Sequence, residues 1–148
     1  MSVPARINLV TLGVTDLGRA VAFYEALGWR RSAASTDDTA FFLTGGSVLA
    51  LWGHANLAAD AGRDPGERPP TGGVSLAINL ASEAEVDRVL AEAVAAGGTI
   101  TKPAERAVWG GYTGNFADPD GHLWEVAHNP YWPLDEAGAI HLPGPAED

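Results

Sequence analysis

The chain has no cysteine, which excludes disulfides, thiolate metal sites, iron–sulfur clusters and a cysteine nucleophile. It is also short of basic residues: 9 Lys and Arg stand against 19 Asp and Glu, a formal charge of -10. A surface that negative repels phosphate backbones and anionic headgroups, so neither nucleic acid nor a membrane surface is an expected partner. The same far field favours a cationic small molecule over an anionic one. No stretch approaches the ~18 apolar residues needed to span a bilayer, and Met1 to Val14 lacks the basic-then-apolar pattern of a secretory signal. The expected location is the cytoplasm. P-loop, dinucleotide fingerprint, serine elbow and HExxH spacing are all missing as well.

What is present is a chain of 148 residues, 46% hydrophobic and 19% charged, enough for one domain with a sizeable core. Residues 7–14 (INLVTLGV) alternate, with Val10, Leu12 and Val14 on the face expected to be core. Asp16 stands at a helix N-cap, followed by Leu17, Ala20, Val21, Phe23, Tyr24 and Leu27 at helical spacing and by Gly28 as the stop. Three strand-like stretches follow, around residues 29–34, 39–44 and 47–53, separated by turn residues. Residues 55–73 are rich in Ala, Gly, Pro, Asp and Arg without a period and read as a linker with one helical turn at 55–61.

The second half repeats this order. Val74, Leu76, Ile78 and Leu80 alternate; Ser82 takes the N-cap place with Glu85 as its capping-box partner; Val86, Val89, Leu90, Ala93 and Val94 form the apolar stripe before Gly97-Gly98. Strands are then expected at 99–102 with 106–109, at 112–117 and at 122–128, the last two joined by the turn Asp118-Pro119-Asp120-Gly121. That turn is too short for the twelve-residue spacing of a calcium loop. The predicted architecture is an α+β fold of two βαβββ modules, residues 5–54 and 74–130, within a single domain 1–130. The tail 131–148, with Pro133, Pro143 and Pro145, is expected to be an extended or disordered arm. Superposing the halves on their N-caps pairs Leu9 with Ser75, and superposing the last hairpins on Gly46 and Gly121 pairs Ala50 with Glu125. Duplication is the simplest account.

Two segments, LVTLGVTDLGRAVAFYEALGW from Leu9 to Trp29 and NFADPDGHLWEVAHNP from Asn115 to Pro130, resemble the vicinal oxygen chelate superfamily of glyoxalases, bleomycin-resistance proteins and dioxygenases. The resemblance runs to about Pro130. It implies a homodimer whose modules close two cups. In the superfamily's enzymes a divalent metal is held by one side chain from each of four strands. Carried over through the repeat, those places fall on Leu9, Ala50, Ser75 and Glu125. Only Glu125 is a strong donor for a divalent ion, and one carboxylate falls short of the about three protein ligands that a catalytic site needs. His54 shares the parity of Ala50 and Trp52 and is the one substitute to consider, whereas His122 and His128 have the opposite parity to Glu125.

No metal or other cofactor is therefore expected, and the resemblance is to the metal-free bleomycin-resistance type, which sequesters a bulky aromatic or cationic drug. Cup-facing parity collects small side chains, with Leu9, Thr11, Ala50, Trp52, Ser75, Asn79 and Glu125 as candidate ligand-binding residues. Trp109 and Tyr112, flanking Gly110-Gly111, are added as stacking walls. Trp52 reads equally as core or interface, Glu125 equally as a carboxylate satisfied by Asn79 or Thr11, and the Gly-Gly pair as a simple turn. Tyr131 and Trp132 either cap the cup or anchor the tail. Antibiotic or natural-product sequestration is the expected function, with a glyoxalase-like lyase or isomerase using Glu125 as general base as the alternative.

Overall fold

In the computed structural model, which describes residues 5, 7–67 and 74–143, the helices begin where the sequence places its caps. The Asp16 carboxylate accepts from the Arg19 backbone N–H at 2.9 Å and opens α1 (Leu17–Ala26). The Ser82 hydroxyl accepts from the Glu85 N–H at 3.2 Å and opens α3 (Glu83–Ala95), while Glu85 reaches back to the N–H of Ala81 at 3.0 Å. This closes a capping box one residue upstream of its usual return contact. Each cap satisfies a donor that the helix leaves free, a contribution of about 1 kcal/mol.

The chain divides into two compact units, Met1–Gly73 and Val74–Asp148. The first holds β1 (Leu9–Val14), α1, β2 (Thr39–Leu43), β3 (Val48–Gly53) and a short helix α2 (His54–Asp60). Its sheet has the order β1-β3-β2, with β1 parallel and β2 antiparallel to β3. One face meets α1: Leu12, Val14, Ala40, Phe42, Leu49 and Leu51 are buried there with Ala20, Val21, Phe23 and Tyr24 of the helix. Phe23 and Tyr24 meet edge to face at 5.0 Å, and Tyr24 lies 6.0 Å from Phe42.

The second unit holds β4 (Leu76–Asn79), α3, β5 (Thr99–Arg106), β6 (Tyr112–Ala117) and β7 (Leu123–His128), in the sheet order β4-β7-β6-β5. Its core joins Val86, Leu90 and Ala93 of α3 to Phe116, Trp124 and Val126. The Phe116 and Trp124 rings stack at 6.2 Å with only 6° between planes. Gly114 lies under α3, where an added Cβ would come within 2.7 Å of Leu90 Cδ1 and 3.0 Å of the Ala104 Cα. A side chain does not fit between sheet and helix at that point.

The α+β architecture stands, with four corrections of detail. The strand expected at 29–34 shrinks to one bridge, Arg31 to Phe42. Trp29 instead turns inward against Tyr24 and Phe42, at 5.4 and 6.2 Å, and the Arg31 guanidinium pairs with Glu25 at 2.7 Å, which takes the segment off the ladder. The helical turn expected at 55–61 is the seven-residue helix α2, packed on β1 and β3; the linker's residues 68–73 lie outside the described residues. Residues 99–102 and 106 belong to one strand, β5, whose register slips on either side of Lys102, where Pro103 has no N–H to give. Residues 107–110 form its turn to β6.

The tail is more ordered than expected through residue 143. A bridge joins Leu134 to Ile140, and the Asp135 carboxylate accepts from the N–H groups of Ala137 and Ala139 and from His141 Nε2, at 2.9, 2.9 and 2.7 Å. Residues 144–148 lie outside the described residues. Among those described, no helix is long and apolar enough to cross a membrane.

Candidate functional site

Each sheet has one face on its long helix and one face turned away from it, and the second face of each unit carries that unit's candidate residues. In the first unit, registered rows across β1, β3 and β2 place Leu9 beside Val48 and Leu43, Thr11 beside Ala50 and Phe41, and Gly13 beside Trp52 and Thr39. Directly paired residues share a face. Leu9 is 49% exposed, Thr11 and Trp52 are half-buried, and Ala50 is buried. The indole N–H of Trp52 is buried and has no hydrogen-bond partner among the described residues, an uncommon state for a buried donor. His54 is drawn out of the strand row: it starts α2, and its Nε2 lies 3.2 Å from the Pro65 carbonyl oxygen.

In the second unit the face away from α3 carries the row Ala77, Glu125, Asn115, Lys102 and beside it Asn79, Ala127, Thr113, Glu105. Glu125, Asn79, Asn115 and Thr113 are half-buried. Each of the four therefore keeps part of its side chain within reach of solvent. Lys102 pairs with Glu105 at 3.2 Å. Ser75, exposed just before β4, donates to the carbonyl of Leu76 at 3.4 Å.

The two registers are alike. Thr11 pairs with Ala50, so Leu9 lies two residues before the partner of Ala50; Ala77 pairs with Glu125, so Ser75 lies two residues before the partner of Glu125. Thr11–Ala50 and Ala77–Glu125 are therefore equivalent pairs of the two ladders, and Leu9 and Ser75 stand at the same offset along the chain from them, Leu9 inside β1 and Ser75 just outside β4. Residues 6–126 match the Glyoxalase/Bleomycin resistance protein/Dioxygenase superfamily. The chain belongs to this superfamily. Metallothiol transferase FosB from Shouchella clausii (strain KSM-K16) is 32% identical over 121 residues, 81% of this chain and 77% of that protein. Among solved structures, a glyoxalase-related enzyme from Fulvimarina pelagi is 37% identical with a TM-score of 0.85, covering 95% of this chain and all of that one. Lactoylglutathione lyase from Agrobacterium tumefaciens is 25% identical with a TM-score of 0.66, covering 89% and 99%.

A divalent metal of the kind the superfamily's enzymes carry does not fit the donor set at Leu9, Ala50, Ser75 and Glu125. Leu9 and Ala50 have no lone pair to give, and a serine hydroxyl is a poor ligand beside imidazole or carboxylate. Among the described residues no three His, Cys, Asp or Glu side chains come together in a metal-binding group. His128 is on the helix side, its Nδ1 3.1 Å from the Leu80 carbonyl, in keeping with its parity.

Two expected wall residues are elsewhere. Tyr112 faces α3, not the open face: its hydroxyl donates to Asp87 at 2.7 Å, and this bond to the carboxylate raises the phenol's pKa. The parity was readable, since Tyr112 is four residues before Phe116 on the same strand, and Phe116 is core. Trp109 lies in the β5–β6 turn, 48% exposed, folded onto Gly111 so closely that a Cβ there would overlap its ring. Tyr131 lies against neighbouring Gly110, whose φ of 102° favours glycine. The floor of the second unit is consequently polar and without aromatic walls. Thr113 and Asn115, both absent from the expected site, alternate with Gly114 and Phe116 in YTGNFA, and that period of two is the signal that identifies them.

Proposed function

We propose that this protein is a metal-independent small-molecule-binding member of the superfamily that sequesters an antibiotic or other natural product. The observation that carries the reading is the donor set: the four places matched through the repeat hold Leu9, Ala50, Ser75 and Glu125, with a single strong donor. The buried Trp52 N–H, unpaired among the described residues, supports it, because a buried polar group without a partner is one that a ligand can satisfy. Leu9, Thr11, Ala50, Trp52, Ser75, Asn79 and Glu125 are the proposed binding residues. Trp109 serves at the rim, and Tyr112 acts only through its bond to Asp87. The two units form one binding domain, and two chains pair as a homodimer in the cytoplasm.

A second reading draws on the relatives. Metallothiol transferase FosB and lactoylglutathione lyase are named as enzymes, and by that analogy Glu125 is a general base in a glyoxalase-like lyase or isomerase. Elemental analysis of the protein purified without chelator, combined with melting curves at increasing Ni(II), Zn(II) and Mn(II), separates the two. The binding reading expects no stoichiometric metal and an unchanged Tm. One metal per chain, or a Tm rising with concentration, overturns it in favour of the enzyme.

A further inference from the structure

We infer that the polar face of the second unit binds the ammonium group of an aminated polyol, with Glu125 as the counter-charge and Asn115, Thr113 and Asn79 as neutral partners. The inference rests on the proposed binding function and specifies its ligand. Glu125 sits directly across the β6–β7 ladder from Asn115 and diagonally from both Thr113 and Asn79, the partners of Ala127. Paired side chains stand about 5 Å apart at Cβ and diagonal ones about 7 Å, so four polar groups edge one patch floored by the methyls of Ala77 and Ala127. All four are half-buried, so each side chain remains reachable from solvent.

Charge selects the ligand. Lys102, the one cation in the registered rows of this face, pairs with Glu105 at 3.2 Å, which leaves Glu125 without a cation of its own in those rows. One carboxylate ringed by neutral oxygens suits a monovalent ammonium, whose donors reach acceptors at about 2.8 Å. A dipositive metal needs several strong donors at about 2.0–2.2 Å. The two amides and the hydroxyl also donate as well as accept, so they match hydroxyl groups flanking the amine. All three strand aromatics of this unit, Tyr112, Phe116 and Trp124, belong to the helix face, so this floor does not stack a planar ring.

The test is calorimetry of the full chain with kanamycin and with its per-N-acetylated form, which keeps the polyol and loses the charge. The native protein is expected to bind kanamycin in the micromolar range and the acetylated form at least tenfold more weakly. Glu125→Gln is expected to weaken kanamycin at least tenfold and Asn115→Ala at least threefold, while Asp37→Asn, an equal charge change on an exposed turn of the first unit, leaves it within twofold. Matching melting curves for the variants establish that they fold. Equal losses in Glu125→Gln and Asp37→Asn would mean diffuse attraction to an acidic surface and overturn the inference, as would equal affinity for the two ligands or no binding at all. A Ni(II) titration run alongside keeps the two levels apart: metal bound through Glu125 overturns the binding function itself, whereas failure with kanamycin and no metal uptake overturns only the ligand class.

Discussion

Gly114 is packed closely between sheet and helix. A Cβ there would stand 2.7 Å from Leu90 Cδ1 and 3.0 Å from the Ala104 backbone, so Gly114→Ala must displace the Leu90 side-chain tip and press on β5, and overpacking of this kind costs about 1–3 kcal/mol. Urea denaturation should show the midpoint fall with the slope unchanged. Asp16→Ala should cost about 1 kcal/mol through loss of the α1 cap, read in the same experiment. At this scale the sequence was legible where chemistry is local: Asp16, Ser82 and Glu85 cap the helices they were expected to cap. It was misleading where residue class outweighed parity. Being aromatic beside two glycines suggests the open face for Tyr112, whereas its distance from Phe116 puts it under α3.

At the level of elements, α3 is fastened to the far strands by charge at its first turn. Arg106 donates twice to Glu83, at 3.0 and 3.1 Å, and this hydrogen bonding, with the charge behind it, holds the Glu83 carboxyl below the usual range. A carboxyl depressed in the folded state contributes stability that is present above its unfolded value and lost as pH falls through its folded one. The contact therefore operates at neutral pH and fails on acidification. In Arg106→Gln, NMR titration of Glu83 should move its midpoint upward; an unmoved midpoint would show that the guanidinium is not its cause. The positions of β1 to β4, β6, β7, α1 and α3 followed from periodicity, but β5 did not, because Pro103 shifts a register that no alternation records. The bridge at Arg31 escaped for a related reason: the neighbouring Trp29 finds aromatic partners inside the unit, and that packing is invisible in a linear pattern.

For the whole molecule, the charge of -10 and the apolar row Leu9, Val48, Leu43 give separate expectations. Association with a cationic ligand should slow as salt rises, because screening shortens the reach of the acidic surface to about 8 Å at physiological ionic strength. Stopped-flow measurement of the association rate at two salt concentrations checks this. Leu9 and Leu43, 49% and 76% exposed in one row, should be covered in the proposed dimer. Light scattering should then find twice the 15.4 kDa chain mass, with Leu43→Glu shifting the population toward monomer. Composition excluded thiol chemistry, but it has no access to the polar floor of the second unit, which exists only once β5, β6, β7 and β4 lie in register.

The indole N–H of Trp52, unpaired among the described residues, makes the protein its own optical reporter. The excited indole has a larger dipole than the ground state, and an acceptor arriving at its nitrogen lowers the energy of the emitting state. A ligand oxygen that completes this hydrogen bond moves the emission to longer wavelength, while one that binds elsewhere leaves the colour of Trp52 alone. Trp29, Trp109, Trp124 and Trp132 emit as well, so the shift that Trp52→Phe removes, in spectra recorded before and after mixing, is the part that reports occupancy of the first unit.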